Sequence, residues 1–506
     1  MIKKIKAVFV DLQNDLYDRH GIYSLAALLN QHGVEVSYIS YGYNKKFLSA
    51  LINLKPDLLL YSSLSSTLDL YGKFDKMIKE VLPQAVSLIG GAGPTFEPQF
   101  IMNTSINAAC IGEGERALID FIRNDLVVGK NIISKDQPPE KKFHPLVDLD
   151  SLPLPNRDII YCHDSIRRDM PSKQFISGRG CPFQCTYCFN HIYYKIFKDC
   201  GSLVRKKSVN YLLEEIKFVR KKYALKTVVF NDDIFILDKE WLYEFCERYP
   251  REIGLPYICN IRANLIQEDV VAALHDSNCI SVNWSIESGN EIIRNQVLKR
   301  NMTEEQIITT GKLLNKYRIK HRIGNVIGLP GETFEQMLET VDLNIRVKPN
   351  LGLANIFVPY PGLELTNYAV REGHYTTKIN NKLPPNYWTR SVLEITSDDN
   401  LRIQKLVNLF PLFVRFPGLF SSIRTRNILF SLPKIQLRVF YEIIYVLQFM
   451  DIYRIVSPPI YIVRTAFRYL KGLFENPSSN LSRLNSNFRP FVFKYLDKLF
   501  CKKRKF

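Results

Sequence analysis

Short apolar runs alternate with stretches of helical apolar period over the first 125 residues. The apolar runs predict five buried strands, at residues 7–10, 34–39, 57–61, 85–89 and 109–111. Between them, apolar positions recur at helical spacing, most clearly at residues 23–31 and 73–81. Strands that alternate with helices of this length are typical of a parallel, doubly wound α/β sheet.

Small and polar residues follow these predicted strands. A parallel sheet binds ligands at the carboxyl ends of its strands, and small residues there let a large ligand approach the backbone. The candidate binding residues at these ends are Ser62, Thr67, Gly91, Gly93, Thr95, Gly112 and Glu113.

A second alternating run begins after a proline-containing stretch at residues 126–170, which we interpret as a linker. Strands are predicted at 173–177, 227–231, 257–261, 280–286, 321–327 and 353–358, and helices at 209–223, 240–248, 267–275, 303–316 and 333–346. Six β/α units in this length fit a partial barrel better than a closed eight-stranded barrel, which typically needs ~250 residues.

The 506 residues have ordinary globular composition, with 46% hydrophobic and 23% charged residues, but their charge is uneven. Residues 401–506 contain nineteen Lys and Arg but only four Asp and Glu, so this C-terminal region contributes +15 of the net charge of +18. The basic excess therefore belongs to the C-terminal region, and no recognition module for nucleic acid accompanies it. We interpret this aromatic-rich region as a helical cap on the barrel, with contact to an anionic membrane or a lipid substrate as the alternative.

We expect neither a signal peptide nor a membrane span, because the apolar run after the first lysines has only four residues and no run reaches the ~18 uncharged apolar residues of a span. We expect a cytoplasmic protein whose C-terminal region is a candidate for peripheral contact with the inner face of the membrane. In that compartment, the ten cysteines are expected to be ligands or incidental thiols, and not disulfides.

Three cysteines, Cys181, Cys185 and Cys188, lie on one loop in the segment SGRGCPFQCTYCFN, after the first strand of the second run. A [4Fe-4S] cluster normally takes four cysteine thiolates, so three ligands leave one iron open to a small molecule. The alternative is a zinc site, for which His191 is a nearby fourth ligand.

At these residues the chain resembles the radical S-adenosylmethionine (SAM) superfamily, whose signature is C-x3-C-x2-C with an aromatic residue, here Tyr187, before the third cysteine. The resemblance extends from Lys173 to about Leu365. It implies a [4Fe-4S] cluster that chelates SAM and cleaves it, after one-electron reduction, to a 5′-deoxyadenosyl radical. By motif and order, the implied SAM contacts are Asp232, Asp233, Arg262, Ser285, Glu287 and Gly328. Taken singly, such residues also serve as helix caps, turns or surface acids.

The first domain resembles the cobalamin-binding domain that precedes the barrel in one radical SAM subfamily. The resemblance runs from about Ile5 to Ile122 through GIYSLAALLNQHGVEVSYIS, PDLLLYSS, LIGGAGPTFEP and CIGEGERAL. It implies that the candidate residues at the strand ends bind cobalamin. The alternative is a degenerate nucleotide-binding sheet that serves only as a scaffold.

One departure concerns the cobalt ligand. Many cobalamin-binding domains carry D-x-H-x-x-G, whose histidine coordinates cobalt from below. Here Asp18 and His20 occupy the first two positions, but Tyr23 stands in place of the glycine. The subfamily resemblance favours no protein ligand, although His20 stays an alternative.

We therefore predict an α/β protein with a Rossmann-like cobalamin-binding domain (1–125), a linker (126–170), a partial (β/α)6 radical SAM barrel (171–382) and an α-helical C-terminal region (383–506). The resemblance implies a cobalamin-dependent C-methyltransferase. A cobalamin-dependent cyclase and a non-catalytic Fe–S or corrinoid sensor are the alternatives. The expected partners are a small-molecule or lipid-linked substrate and a one-electron donor of flavodoxin or ferredoxin type, without nucleic acid.

Overall fold

The computed structural model describes residues 5–12, 17–41, 46–136, 143–376, 384 and 387–453. Its first layer is a six-stranded sheet in the order β2-β1-β3-β4-β5-β6, in which β1 to β5 are parallel and β6 is antiparallel to β5. The strands are β1 Lys6–Asp11, β2 Glu35–Ser40, β3 Leu58–Ser62, β4 Val86–Gly90, β5 Ala108–Cys110 and β6 Ile132–Ser134. The accompanying helices are α1 His20–Gln31, α2 Phe47–Leu54, α3 Leu68–Val81, α4 Ala92–Phe96 and α5 Gly114–Arg123.

The five predicted strands of this sheet are confirmed, but the sixth strand was not expected. β6 lies inside the stretch interpreted as a linker, and its main chain completes the edge of the sheet beside β5. A three-residue strand has too few positions to show a two-residue period, so its pairing partner and not its pattern makes it a strand. Two short helices follow it, α6 Asp158–Tyr161 and α7 Ser165–Asp169.

The second layer is a six-stranded sheet in the order β14-β13-β12-β11-β10-β7, parallel throughout. This sheet with its helices corresponds to the predicted partial barrel, and we call it the barrel. Its strands are β7 Ser172–Phe175, β10 Thr227–Phe230, β11 Tyr257–Asn260, β12 Cys279–Glu287, β13 Lys320–Ile327 and β14 Leu351–Ile356. Helices α9 Val209–Lys222, α10 Lys239–Glu252, α11 Glu268–Asp276, α12 Glu304–Lys316 and α13 Phe334–Val347 cover its outer face, and α14 Glu364–Arg371 follows the last strand. All six strands and all five helices predicted here are confirmed, because long buried runs and helical stripes are strong local signals.

An excursion between β7 and α9 carries the three clustered cysteines. It consists of the short antiparallel strands β8 Gly178–Arg179 and β9 Arg205–Lys206, with the cysteine loop and α8 Asn190–Phe197 between them. Phe197 and Leu203 are buried in the core beneath the first sheet, beside Val10 and Tyr61. The cysteine loop is therefore anchored to both layers.

The described part of the C-terminal region is helical, with α15 Ser397–Arg415, α16 Pro417–Ser421, α17 Ile423–Ser431 and α18 Lys434–Tyr453. The apolar stripe of α15, which includes Leu406, Phe410 and Phe413, packs against Ile327 and Ile356 of the barrel. No helix of the described residues is both long enough and apolar enough to cross a membrane. The rest of the basic region, residues 454–506 with Cys501 and the terminal CKKRKF, lies outside the described residues, as does the predicted domain boundary at 382/383.

Candidate functional site

The cysteine loop is held by a glycine and by backbone hydrogen bonds. Gly180 has φ +89°, and a Cβ there would lie 2.1 Å from the Leu203 carbonyl oxygen, so only glycine fits directly before Cys181. Thr186 donates its hydroxyl to the Val297 carbonyl (2.7 Å), and its own carbonyl accepts from the Leu365 amide (3.0 Å). These contacts attach the loop to segments that follow β12 and β14.

The three cysteines border one cavity of about 370 Å³ at the carboxyl end of the barrel, which we call the cysteine cavity. Its wall combines the loop with residues at the ends of β10 to β13. The residues that line it are Cys181, Phe183, Cys185, Tyr187, Cys188, Asn190, Asp233, Ile234, Asn260, Ile261, Arg262, Asn283, Trp284, Ser285, Arg300, Arg322 and Gly324.

Arg262 contacts one of the three thiols. Its guanidinium donates to Cys185 Sγ at 3.8 Å and stacks over the Phe183 ring at 3.8 Å from the ring centroid. Burial raises the pKa of the Cys188 thiol to about 12 and also raises that of Cys181. Binding a metal cluster must therefore displace the protons of these thiols, and Arg262 offsets part of the negative charge that results.

The geometry disfavours the zinc alternative. Both ring nitrogens of His191 face backbone groups, Nδ1 the Cys185 carbonyl at 3.2 Å and Nε2 the Glu364 amide at 3.4 Å. Within the described residues, no three His, Cys, Asp or Glu side chains converge on a point where a single metal ion would fit. In a cubane cluster, by contrast, each thiolate binds a different iron, so the thiols need only surround a common volume.

Of the implied SAM contacts, Asp233, Arg262 and Ser285 line the cysteine cavity. Asp232 does not: its carboxylate accepts from the Ser177 amide (3.1 Å) and hydroxyl (2.5 Å) and faces the Lys206 ammonium (3.6 Å). The two adjacent carboxylates thus have different surroundings, and of the two only Asp233 borders the cavity. Burial raises the pKa of Asp233, whose carboxylate accepts from Asn190 Nδ2 at 3.1 Å.

Glu287 stands behind the cavity wall. It accepts a hydrogen bond from the Tyr187 hydroxyl (3.0 Å), which in turn accepts from Arg300 (2.8 Å). Its φ of +71° is unusual for a non-glycine residue, and these bonds hold it there. Gly328, with φ +67°, forms the turn after β13 and lies against Ile403 of α15, outside the cavity.

Arg300 borders the cysteine cavity but carried no sequence signal. It lies in an irregular segment between β12 and α12, where neither a motif nor a period marks it. It also donates to the Ser285 carbonyl, so it connects Ser285 with the Tyr187–Glu287 pair. Only the fold brings these residues together.

A second cavity, of about 450 Å³, lies between the first sheet and the barrel, and we call it the interdomain cavity. Its sheet side holds five candidate residues, Ser62, Gly91, Thr95, Gly112 and Glu113. A deep part between α1 and α5 is lined by Ser24, Leu25, Gly114 and Leu118, and the barrel side by Arg179, Tyr193, Arg205 and Tyr211.

Two of the candidate residues, Thr67 and Gly93, do not line the interdomain cavity. Thr67 Oγ1 lies 3.0 Å from Ser63 Oγ and accepts from the Leu64 amide (3.1 Å), so it closes a local turn. A Cβ on Gly93 would meet Leu64 and Leu68 at 2.9 Å. Both residues therefore shape the loop after β3, and neither borders the cavity.

The Glu113 carboxylate forms ion pairs with two arginines, Arg179 of β8 and Arg205 of β9. Arg179 donates to its Oε1 at 2.9 Å, and Arg205 donates to both of its oxygens at 2.5 and 3.1 Å. Burial alone would raise the pKa of Glu113, but the two guanidiniums outweigh it and lower the pKa below the ordinary value. Arg179 also pairs with Glu115 at 2.6 Å, so the start of α5 holds β8 and β9 by ion pairs.

We expect Glu113→Gln to destabilise the junction between the two layers. Glutamine leaves Arg179 and Arg205 partly buried without their shared carboxylate, which costs about 2 kcal/mol. For a chain of 506 residues that unfolds as one unit, the thermal midpoint should fall by about 2 °C. Glu80→Gln, on an exposed site of α3, is the control and should melt like the parent protein. An unchanged midpoint for Glu113→Gln would show that the ion pairs do not secure the junction.

Asp18 and His20 have different surroundings. Asp18 accepts from the Tyr23 and Tyr161 hydroxyls (2.8 and 3.0 Å), from Arg157 (3.2 Å) and from the Gln174 amide (3.0 Å). Its carboxylate thereby connects α1, α6 and β7. His20 borders the interdomain cavity, its Nε2 is buried without a hydrogen-bond partner among the described residues, and burial lowers its pKa to about 4.

Asn190 borders both cavities. It is the first residue of α8, two positions after Cys188. Beside it, Phe189 stacks on Phe96 of the first domain, with ring centroids 4.4 Å apart, and contacts Tyr360 at 5.6 Å. The two cavities are therefore neighbours, with an aromatic wall at their junction.

Comparison with protein families matches both layers of the chain. Residues 175–343 match the radical SAM superfamily, and residues 5–122 match the B12 binding domain. These matches confirm the two resemblances seen in the sequence.

Two curated relatives differ in the reaction that their names describe. The chain is 27% identical over 311 residues to an uncharacterized methyltransferase of Pyrococcus horikoshii, which covers 58% of this chain and 65% of that protein. It is 24% identical over 334 residues to the anaerobic magnesium-protoporphyrin IX monomethyl ester cyclase of Rubrivivax gelatinosus, which covers 62% of this chain and 59% of that protein. The chain thus spans less than two thirds of the length of either relative.

Among solved structures, the chain is similar to the cobalamin-dependent S-adenosylmethionine radical enzyme OxsB with aqua-cobalamin and S-adenosylmethionine bound. The TM-score is 0.67 at 15% identity, and the superposition covers 100% of this chain and 81% of that chain. At this identity, the likeness shows a common fold.

Proposed function

Because the chain carries a radical SAM domain and a B12-binding domain and so belongs to the cobalamin-binding radical SAM enzymes, we propose that it is a C-methyltransferase. The two domains imply SAM, a [4Fe-4S] cluster and cobalamin as cofactors. The similarity to a relative named as a methyltransferase favours methyl transfer, and the structural observation that supports it is the position of Asn190, which borders both cavities. A methyl group can pass from a corrinoid to a substrate radical only where the two cofactor sites adjoin.

The residues around the cysteine cavity fit a [4Fe-4S] cluster with SAM. Cys181, Cys185 and Cys188 are free thiols on one loop, and no fourth cysteine borders the cavity among the described residues. Arg262 lies beside Cys185, where it would offset the charge of the cluster. Asp233 and Ser285 are the side chains that we assign to SAM, while Asp232, Glu287 and Gly328 would support the site from behind.

The residues that line the interdomain cavity suit cobalamin. A corrin ring needs a wide, mostly apolar platform, and its nucleotide tail needs a slot. Gly91, Thr95 and Gly112 would border the platform, and Ser24 with Leu118 would border the slot between α1 and α5. We assign Ser62, Gly91, Thr95 and Gly112 to cobalamin binding. Glu113 would instead anchor β8 and β9 through its ion pairs with Arg179 and Arg205.

When bound, the cluster with SAM supplies a hydrogen-abstracting radical, and cobalamin supplies a transferable methyl group. The chain's own contribution is alignment and exclusion of water. Arg262 and Arg300 brace the thiols and the end of β12 from inside the barrel. The stacked rings of Phe96 and Phe189 lie at the junction of the two cavities, where the substrate would meet both cofactors.

The test is anaerobic reconstitution with iron, sulfide and hydroxocobalamin, followed by SAM and dithionite. We expect about four irons and one cobalt per chain after gel filtration, and both S-adenosylhomocysteine and 5′-deoxyadenosine among the products. A protein that binds iron without cobalamin would reduce the first domain to a scaffold. If SAM is not cleaved at all, the non-catalytic sensor is the better hypothesis.

A cobalamin-dependent cyclase is the second candidate, supported by the similarity to the magnesium-protoporphyrin ester cyclase. It would use the same two cavities without transferring a methyl group. The products separate the two hypotheses: a cyclase forms 5′-deoxyadenosine without S-adenosylhomocysteine.

We expect His20→Ala to leave the absorbance spectrum of bound cobalamin unchanged. A histidine that ligates a metal normally donates its other ring nitrogen to a carboxylate or carbonyl group. The nearby carboxylate, Asp18, is already committed to two tyrosines, an arginine and a backbone amide. Comparison of the cobalt(II) and cobalt(III) spectra of the variant and the parent checks this, and a clear shift would make His20 the lower ligand.

The proposal includes the partners and the domain limits expected from the sequence. The substrate would be a small or lipid-linked molecule, and the electron donor a flavodoxin or ferredoxin. Peripheral contact with the inner face of the membrane through the C-terminal region belongs to the proposal, as does the division of the chain at residues 125, 170 and 382. No interaction with nucleic acid is proposed.

A further inference from the structure

The cysteine loop is carried by two short antiparallel strands, β8 and β9, which we call the β8–β9 ribbon. Gly178 pairs with Lys206, and Arg179 pairs with Arg205. Directly opposite residues of an antiparallel pair share a face, and consecutive residues lie on opposite faces. The ribbon therefore has two different faces, one with Arg179 and Arg205 and the other with Lys206.

The Lys206 face is attached to the barrel. The Lys206 ammonium lies 3.6 Å from Asp232 Oδ1 and donates to Ser177 Oγ at 3.0 Å. On the same face, a Cβ on Gly178 would lie 3.5 Å from Asp232 Oδ1. Asp232 follows β10, and the next residue, Asp233, borders the cysteine cavity. This face therefore sets the position of the ribbon relative to the proposed SAM site.

The arginine face is attached to the first domain. Arg179 donates to Glu113 Oε1 at 2.9 Å and to Glu115 Oε1 at 2.6 Å, and Arg205 donates to both oxygens of Glu113. Glu115 Oε1 also accepts from the Ser24 hydroxyl at 3.4 Å, and Ser24 lines the deep part of the interdomain cavity. This face therefore sets the position of the ribbon relative to the proposed cobalamin site.

The link from Arg179 to the cluster ligands is short. Only Gly180 separates Arg179 from Cys181, and a side chain on Gly180 would collide with the Leu203 carbonyl oxygen. A displacement of Arg179 is therefore passed directly to the first cysteine of the loop. The Arg179 side chain is 30% exposed and that of Glu115 is 6% exposed, so salt and water screen this ion pair less than a surface pair.

We propose that Arg179 is a positioning residue that fixes the geometry of the iron–sulfur cluster relative to cobalamin. It acts through the β8–β9 ribbon and the cysteine loop, with Glu113 and Glu115 as its partners on the first domain. Transfer between two bound groups depends on their alignment, so a small displacement of one site costs rate. The inference rests on the proposed function, because it requires both cofactors in one chain.

The test is electron paramagnetic resonance of the full-length chain, loaded with both cofactors, with the cluster reduced and the cobalamin in the cobalt(II) state. Two paramagnetic centres held in one geometry split each other's signals by a defined amount, so the spectrum reports their relative position. We expect one defined splitting in the parent protein and its loss in Arg179→Gln, which removes both ion pairs of this side chain. Arg179→Lys keeps the charge and should retain the splitting.

Arg346→Gln is the matched control. Arg346 also pairs with a glutamate, Glu304, but it lies on α13 and borders neither cavity. Its spectrum should match that of the parent protein. The iron content and SAM binding of Arg179→Gln should also match the parent, because the Lys206 face of the ribbon is unchanged. A residue that only stabilised the fold would leave the splitting intact in every variant that carries both cofactors.

The proposal is wrong if Arg179→Gln carries both cofactors and shows the parent's splitting, or if Arg346→Gln loses the splitting as well. If Arg179→Gln retains no iron, Glu115→Gln decides, because it keeps the arginine and the shape of the site but removes one ion pair. An unchanged splitting in that variant would overturn the proposal. A parent chain without bound cobalt would overturn the proposed function and this inference together, and the cobalt content alone distinguishes that result.

Discussion

Replacing Cys185 with alanine is expected to remove the iron–sulfur cluster completely. Each cysteine of the loop would hold a different iron, and with only three protein ligands the loss of one leaves two, too few to retain a cubane. Cys185 is also the buried cysteine of the three and the one to which Arg262 donates. The iron content should fall from about four atoms per chain to near zero, with loss of the absorbance near roughly 400 nm and of SAM cleavage.

A second cysteine variant makes this result specific. Cys162→Ala changes an exposed thiol that lies before the cysteine loop and does not border the cysteine cavity. Its iron content and absorbance should match those of the parent protein. Retention of iron and sulfide by Cys185→Ala, with Cys162→Ala unchanged, would contradict the assignment of the loop as the cluster site.

Replacing Ser62 with tryptophan is expected to abolish cobalamin binding while leaving the cluster intact. Ser62 ends β3 and is an exposed residue that borders the interdomain cavity, so an indole there would occupy the space assigned to the corrin ring. The exposed position can accept a large side chain without disturbing the core. We expect cobalt retention after gel filtration to fall more than tenfold, with about four irons retained.

Ser66→Trp is the matched control for this variant. Ser66 lies four residues further along, is also exposed, and does not border the interdomain cavity. It should keep about one cobalt per chain. Undiminished cobalamin binding by Ser62→Trp would place the corrinoid elsewhere or remove it from the proposed function.

The strands and helices that form both sheets could be predicted because they depend on local pattern. Apolar runs such as residues 227–231 and helical stripes such as residues 209–223 appear in the structure within a few residues of their predicted limits. The exceptions are short elements, including β6 and the five-residue helix α4, whose few positions show no period.

The candidate site was predictable to the extent that a motif carried it. The cysteine spacing located the loop, and the order of motifs after it located the ends of the barrel strands. The same motifs could not decide between adjacent acids: Asp233 faces the cavity, whereas Asp232 is buried against Ser177 and Lys206. That choice depends on the direction in which each side chain leaves the strand end.

Local signals in the chain were thus sufficient to predict its two α/β units and to place the three cysteines on one loop. Cysteine spacing and hydrophobic period can do this because they depend on only a few neighbouring residues. The tertiary structure alone decided which distant residues meet. Glu113 is held by arginines 66 and 92 positions away, and Asn190 borders both cavities because α8 packs between the two layers. Such contacts follow from how the two sheets pack on each other, and packing between sheets leaves no periodic trace in the sequence of either one.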